Sequence, residues 1–116
     1  MAAKIIVKKL VPQDVTLAKF LPQFQDEFAE LDTISQSCPK SISTHNLGVE
    51  IVDGVQVIVT ETVFNTVEEA VDASTRTLNW PHEAVIAYNK ENNVQTFNKI
   101  IDLETDEVIQ DWTQRW

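Results

Sequence analysis

The chain has 116 residues, the size of one domain, which excludes a multidomain enzyme. Its composition, with 43 % hydrophobic and 23 % charged residues, argues against disorder. Its 18 acidic and 9 basic residues give a net charge of −9, which repels a phosphate backbone and argues against direct binding of nucleic acid. We therefore expect one acidic globular domain over residues 1–116.

The first predicted elements are a strand and a helix. Apolar residues and lysines over residues 3–11 predict the strand, and Pro12 ends it because proline has no amide hydrogen for strand pairing. Apolar residues then recur at steps of three and four from Leu17 to Leu31, which predicts an amphipathic helix. Pro22 would clash inside that helix, so the helix either begins near Pro22 after a short turn or is kinked there. We favour one kinked or two-part helix that ends near Ile34.

A β-hairpin is predicted over residues 47–64, because apolar residues alternate on both sides of Asp53-Gly54. A two-residue loop would place Glu50 on the same face as the alternating valines of the second strand. A three-residue loop that includes Val52 keeps that face apolar and puts Gly54 at the left-handed position that such loops favour. We therefore predict the three-residue loop, with the valine face turned towards the helices.

The rest of the chain is predicted to contain a helix and three strands. Thr66 and Glu69 form a capping box that indicates a helix start, and this helix ends before Pro81. The apolar run at residues 84–88 predicts a fourth strand. Residues 91–116 then predict a C-terminal β-hairpin extension with a tryptophan-bearing tail.

The predicted element order over residues 1–90 is β-α-β-β-α-β, the split βαβ pattern of ferredoxin-like domains. We therefore predict an α+β fold, in which an antiparallel sheet carries two helices on one face. The layout resembles that of the dimeric α/β-barrel proteins, small ferredoxin-like domains that pair sheet to sheet. The resemblance covers about residues 3–90 and depends on the element order and on residues 64–70.

The sheet face without helices would need to be covered by a second copy or by the C-terminal extension. We predict that this face carries Ile58, Thr60, Thr62 and Phe64. Trp112 and Trp116 of the tail join them as candidate partner-binding residues, because large aromatic side chains are costly to leave in water and are typical interface anchors.

The sequence carries no residues at catalytic or metal-ligand spacing, so we expect no cofactor and no metal. Cys38 is the single cysteine, and two glycines cannot form a phosphate-binding loop. The residues to suspect in an enzyme are His45, His82 and Tyr88, but a non-catalytic protein is favoured. No signal peptide or membrane-spanning apolar run is evident, which favours a cytoplasmic protein.

Three functions stay open at this point. The first is a small acidic interaction or accessory protein that pairs with itself, as a homodimer, or with another protein through the open sheet face and the tail. The second is an enzyme or ligand-binding protein of dimeric α/β-barrel type, with a pocket between the first helix and the sheet. The third is an acidic mimic of nucleic acid that inhibits a DNA-binding protein.

Overall fold

The computed structural model describes residues 2–77 and 83–115, which form an α+β fold. The strands are β1 (Ala3–Pro12), β2 (Ser43–Val52), β3 (Val55–Phe64), β4 (Gln95–Asp102) and β5 (Val108–Arg115). The α-helices are α1 (Gln25–Ser37), α2 (Val67–Thr77) and α3 (Glu83–Glu91). The strands form one sheet in the order β2-β3-β1-β4-β5, and every neighbouring pair is antiparallel.

The segment between β1 and α1 follows one of the two predicted courses. It makes two 3-10 turns, Ala18–Phe20 and Pro22–Phe24, before α1 begins. Pro22 occupies the first position of its turn, where the missing amide hydrogen costs no intrahelical bond. The α-helix therefore begins shortly after Pro22, which is the alternative not favoured above, and it ends at Ser37, beyond the predicted end near Ile34.

Helix α2 packs on the sheet through small side chains. Thr66 Oγ1 accepts a hydrogen bond from the Glu69 amide at 3.1 Å, which confirms the predicted helix start. Ala70 and Ala73 are buried and allow the helix backbone to approach β1, β3 and β4 closely. They form the main core cluster with Ala3, Ile5, Phe64 and Ile100.

Helix α3 occupies the position where a fourth strand was predicted, so the prediction of a strand at residues 84–88 is wrong. Val85 is buried against Ala18 and Phe24 in a second core cluster. The Tyr88 ring meets the Phe24 ring edge to face, with 5.5 Å between the ring centroids. Val85 and Tyr88 lie three residues apart, so a helix brings both to one face, whereas a strand would separate them.

The predicted C-terminal extension joins the main sheet. Its first strand, β4, pairs with the central strand β1 from Ala3 opposite Asp102 to Leu10 opposite Gln95. Strand β5 then pairs with β4 and forms one edge of the sheet. The tail is therefore extended as far as Arg115.

The hairpin between β2 and β3 has a two-residue turn, so the predicted three-residue loop is wrong. Val52 pairs with Val55, and the two loop residues Asp53 and Gly54 have positive φ angles of 52° and 78°. This turn is the type that matches the twist of the flanking strands. Strand β2 lies at the sheet edge and Glu50 is exposed, so its position beside β3 causes no burial of charge.

The edge strand β2 is interrupted in its middle. Its pairing with β3 shifts between Asn46 and Val49. Asn46 Oδ1 accepts a hydrogen bond from the Gly48 amide at 3.0 Å, and Gly48 has a φ of 104°, a conformation that side chains disfavour. We call residues 46–49 the β2 bulge.

Candidate protein interface

The register of the sheet shows which face the helices cover. Residues that lie directly opposite each other in an antiparallel pair point to the same face. Ala3 lies opposite Phe64 and Asp102, and Ile5 lies opposite Thr62 and Ile100. Because the core cluster under α2 includes Ala3, Ile5, Phe64 and Ile100, this is the helix-covered face.

The structure therefore inverts the two faces predicted for β3. Phe64 is 5 % exposed and belongs to the core, and strand alternation places Ile58, Thr60 and Thr62 on its face. Those four residues were predicted to form the open face. Hydrophobicity suggested the valine side of β3 as the core, but α2 covers the other side.

The opposite face of the sheet carries no helix, and we call it the helix-free face. It is mainly apolar on its three inner strands, and most of these side chains are half-buried by their neighbours. Its apolar residues are Ile6, Leu10, Val55, Val57, Val59, Val63, Phe97 and Ile101, placed by the pairings of β1 with β3 and β4. An apolar surface of this extent, with charged residues set among the apolar ones, is typical of a protein interface.

Four charged groups of the helix-free face form two ion pairs, while Lys8 and Glu50, of opposite sign, form none within residues 2–77 and 83–115. Lys4 Nζ lies 3.5 Å from Glu61 Oε2, and Lys99 Nζ lies 3.9 Å from Asp111 Oδ1. Lys8 Nζ lies 5.6 Å from the centroid of the Phe97 ring. The excess negative charge of the chain therefore resides on other surfaces.

Trp112 is brought onto the helix-free face by β5. Lys8 Nζ lies 5.0 Å and Lys99 Nζ lies 5.9 Å from the centroid of its ring. Cations at these distances are attracted to an aromatic face. Trp112 is half-buried, so part of its ring remains available on the face. Trp116 lies outside the described residues.

Tyr88 and His45, two of the residues suspected of catalysis, lie on different elements of the structure. Tyr88 lies on α3, and its hydroxyl donates a hydrogen bond to the Thr16 carbonyl, which holds the helix against the segment after β1. His45 is exposed on β2 and lies opposite Glu61 on the helix-free side. His82 lies outside the described residues.

A cavity of about 610 Å³ lies between the end of α1, the start of β2 and α2. Cys38, Thr44, Phe64 and Thr77 are among its lining residues, and neither His45 nor Tyr88 is. The Cys38 thiol donates a hydrogen bond to the Ile34 carbonyl at 3.3 Å, as a structural cysteine does. The cavity therefore contains no constellation of acid, base and nucleophile from the residues proposed for catalysis.

A smaller cavity on the helix-covered face was missed by the sequence analysis. Ile58 and Thr60 line it, together with Lys9. No sequence motif marks Lys9 as a cavity residue. The available signal is the alternation along β1, which places Lys8 and Lys9 on opposite faces of the sheet.

Residues 2–77 and 83–115 lack both a metal-binding cluster and a membrane-spanning helix. There, no group of three or more His, Cys, Asp or Glu side chains is arranged to hold a metal ion. In the same residues, no helix has the length and apolar character that crossing a bilayer requires.

Comparison with protein-family models and with curated proteins found no match. Among solved structures, the chain is similar to the de novo designed protein Foldit4, with a TM-score of 0.50 and 11 % sequence identity. The similarity covers 88 % of this chain and 98 % of that chain. At this identity the likeness concerns the fold alone.

Proposed function

We propose that this chain is a small, non-catalytic, cytoplasmic interaction protein that forms a homodimer through its helix-free face. The observation that carries the proposal is the apolar surface on that face, which combines the alternating valines of β3 with Ile6, Leu10, Phe97 and Ile101. Apolar area of this kind gains free energy when it is removed from water, at roughly 25 cal/mol per Å².

The charge distribution favours a second copy as the occupant. A chain with a net charge of −9 repels another copy at most of its surface. On the helix-free face, Lys4 is paired with Glu61 and Lys99 with Asp111, while Lys8 lies over aromatic rings. The charges on this face without an ion pair within residues 2–77 and 83–115 are those of Lys8 and Glu50, which have opposite signs, so two such faces can meet with little repulsion.

The size of the face also suits a dimer. Five strands about 4.8 Å apart and eight to ten residues long give a face of roughly 600–700 Å². Specific interfaces bury about 600–1,000 Å² on each partner, so the face reaches the lower part of that range. Stacked sheets pack about 10 Å apart, which leaves room for the side chains of both faces to interdigitate.

We extend the proposal to the fold. The placement of β1 between β3 and β4, with every neighbour antiparallel, supports a ferredoxin-like arrangement for residues 3–102, to which β5 is added. Domains of that arrangement can pair sheet to sheet, which is the geometry proposed here. Trp112 extends the face at one side and would contact the partner copy.

The experiment is sedimentation velocity over a range of protein concentrations, with Val59→Glu as the test variant. Val59 lies opposite Lys8 on the helix-free face, so a glutamate there gains a cross-strand cation in the monomer. In a symmetric dimer the new carboxylate would be buried twice. We expect the wild type to sediment at twice its 13.2 kDa chain mass and Val59→Glu to raise the dissociation constant by about a hundredfold or more.

Ile51→Glu is the matched control. Ile51 is also a strand residue and is 60 % exposed, but it lies opposite Gln56 on the other side of the sheet. We expect this variant to dimerise like the wild type, and far-UV circular dichroism would verify that both variants fold. A monomeric wild type, a dimeric Val59→Glu, or a dimer broken by Ile51→Glu would each refute the proposed interface.

A further inference from the structure

A second cavity, separate from the helix-free face, lies where the segment after β1 crosses the helix-covered face. Its volume is about 210 Å³. Its lining residues are Val7, Lys9, Leu17, Lys19, Ile58 and Thr60. Lys9 lies opposite Ile58, and Val7 lies opposite Thr60, so the sheet supplies four of these residues in two adjacent cross-strand pairs.

The cationic groups of this cavity have no carboxylate partner in the part of the chain that the structure describes. No Asp or Glu oxygen there forms an ion pair with Lys9 or Lys19, although the chain contains 18 acidic residues. The Lys19 ammonium lies 5.0 Å from the centroid of the exposed Phe20 ring. Burial, and then the nearby charge of Lys19, lower the pKa of Lys9.

An anion in this cavity would offset both the desolvation of Lys9 and its repulsion from Lys19. It would replace the water that burial removes from the Lys9 ammonium, and it would screen the repulsion between the two lysines. Hydrogen bonds in which both groups are charged are the stronger kind, so two lysines can hold one carboxylate well. The Thr60 hydroxyl can donate a further hydrogen bond to such a group.

The lining residues of the cavity favour a ligand that has an apolar part as well as a charge. Val7, Leu17 and Ile58 are apolar and give an organic tail a surface that inorganic phosphate cannot use. The volume is below the range of about 300–1,000 Å³ that holds drug-sized ligands, which favours a small ligand. We propose that this cavity binds a short-chain carboxylic acid, with its carboxylate on Lys9 and Lys19 and its alkyl chain on Val7, Leu17 and Ile58.

The test is a titration of the ¹⁵N-labelled protein with butyrate, followed by amide chemical shifts. Butyramide, which has the same shape without the charge, and inorganic phosphate, which has charge without the chain, are the comparison probes. We expect saturable shifts at residues 7–9 and 58–60 with butyrate, and about tenfold weaker binding of the other two probes.

Lys9→Met tests the site, and Lys8→Met is its matched control. Methionine keeps an unbranched apolar side chain and removes the charge, and Lys8 is the adjacent residue on the opposite face. We expect Lys9→Met to weaken butyrate binding by about tenfold or more and Lys8→Met to leave it unchanged. Lys19→Met provides the same test if Lys9→Met does not fold.

Three outcomes would overturn the inference. These are shifts that do not saturate with butyrate, binding of phosphate as strong as that of butyrate, and equal losses in Lys9→Met and Lys8→Met. None of these outcomes depends on whether the chain dimerises, because the readout is binding at a cavity on the other side of the sheet.

Discussion

The buried contact between Ser74 of α2 and Asn98 of β4 predicts unequal effects when either side chain is removed. Ser74 is 2 % exposed and Asn98 is fully buried. Asn98 Nδ2 donates a hydrogen bond to Ser74 Oγ at the long distance of 3.4 Å. Asn98 Oδ1 has no hydrogen-bond partner within residues 2–77 and 83–115. One weak bond thus serves two polar groups inside the core.

The change in the free energy of unfolding depends on which buried polar atoms each substitution leaves without a hydrogen-bond partner. Ser74→Ala leaves the Asn98 amide buried without a partner, so we expect the free energy of unfolding to fall by about 1–3 kcal/mol. Asn98→Val removes the amide and its unpaired oxygen, and the Ser74 hydroxyl can then donate to the Ala70 carbonyl one helical turn earlier. We expect that variant to lie within about 1 kcal/mol of the wild type.

The double variant Ser74→Ala/Asn98→Val distinguishes this explanation from simple packing. It removes both polar groups, and the smaller alanine compensates for the larger valine. We therefore expect it to be more stable than Ser74→Ala alone by about 1–3 kcal/mol, a non-additive result for residues in contact. Urea unfolding followed by tryptophan fluorescence would measure it, at one fixed protein concentration because the proposed dimerisation would contribute to apparent stability.

Thr75→Ala is the control for this series. Thr75 lies beside Ser74 on α2 but is exposed, so its replacement should change stability by no more than about 0.5 kcal/mol. A double variant that is no more stable than Ser74→Ala would show that the unpaired Asn98 amide is not the cause of the loss. The reasoning would then be refuted.

Two further predictions concern the turn at Gly54 and the ionisation of Lys9. Gly54→Ala should lower the free energy of unfolding by about 1 kcal/mol. Gly54 has a φ of 78° and open space around it, so the cost comes from the backbone conformation and not from a clash. An unchanged midpoint of urea unfolding would contradict this. The pKa of Lys9 is lowered in the folded chain and has the ordinary value of 10.5 in the unfolded chain. Between these two pKa values the unfolded chain binds more protons at Lys9 than the folded chain does. The free energy of unfolding therefore increases as the pH rises towards 10.5. Urea unfolding between about pH 7 and pH 10 should therefore show a smaller rise in stability for Lys9→Met than for the wild type, and equal slopes would be evidence against a perturbed Lys9.

The sequence predicted the elements whose signals are local. The Thr66 cap of α2, the strand that Pro12 ends and the β-hairpin around Asp53-Gly54, though not the length of its loop, all depend on residues within a few positions of each other. The α+β class followed from these elements. The 84–88 segment was mispredicted because a five-residue apolar run fits a buried strand as well as a helix, and only the contact of Val85 with Ala18 and Phe24 decides between them.

The candidate interface was harder to predict because both sides of β3 are partly apolar. The valines of one side outweigh Ile58 and Phe64 of the other in hydrophobicity, so composition assigned the core to the wrong face. The deciding factor is the packing of Ala70 and Ala73 of α2 against Phe64, which is a tertiary contact. The Lys9 cavity depends in the same way on where the segment after β1 crosses the sheet.

The β2 bulge affects how copies of this chain can assemble. Pairing through a face closes on itself around a twofold axis and stops at two subunits, whereas pairing along an edge can be repeated without limit into fibres. The exposed side chains of Leu47, Val49 and Ile51 would make a straight β2 a suitable template for such growth. Because Gly48 kinks the strand and shifts its register, another strand cannot add along its full length. The bulge thus disfavours polymerisation by strand addition along this edge.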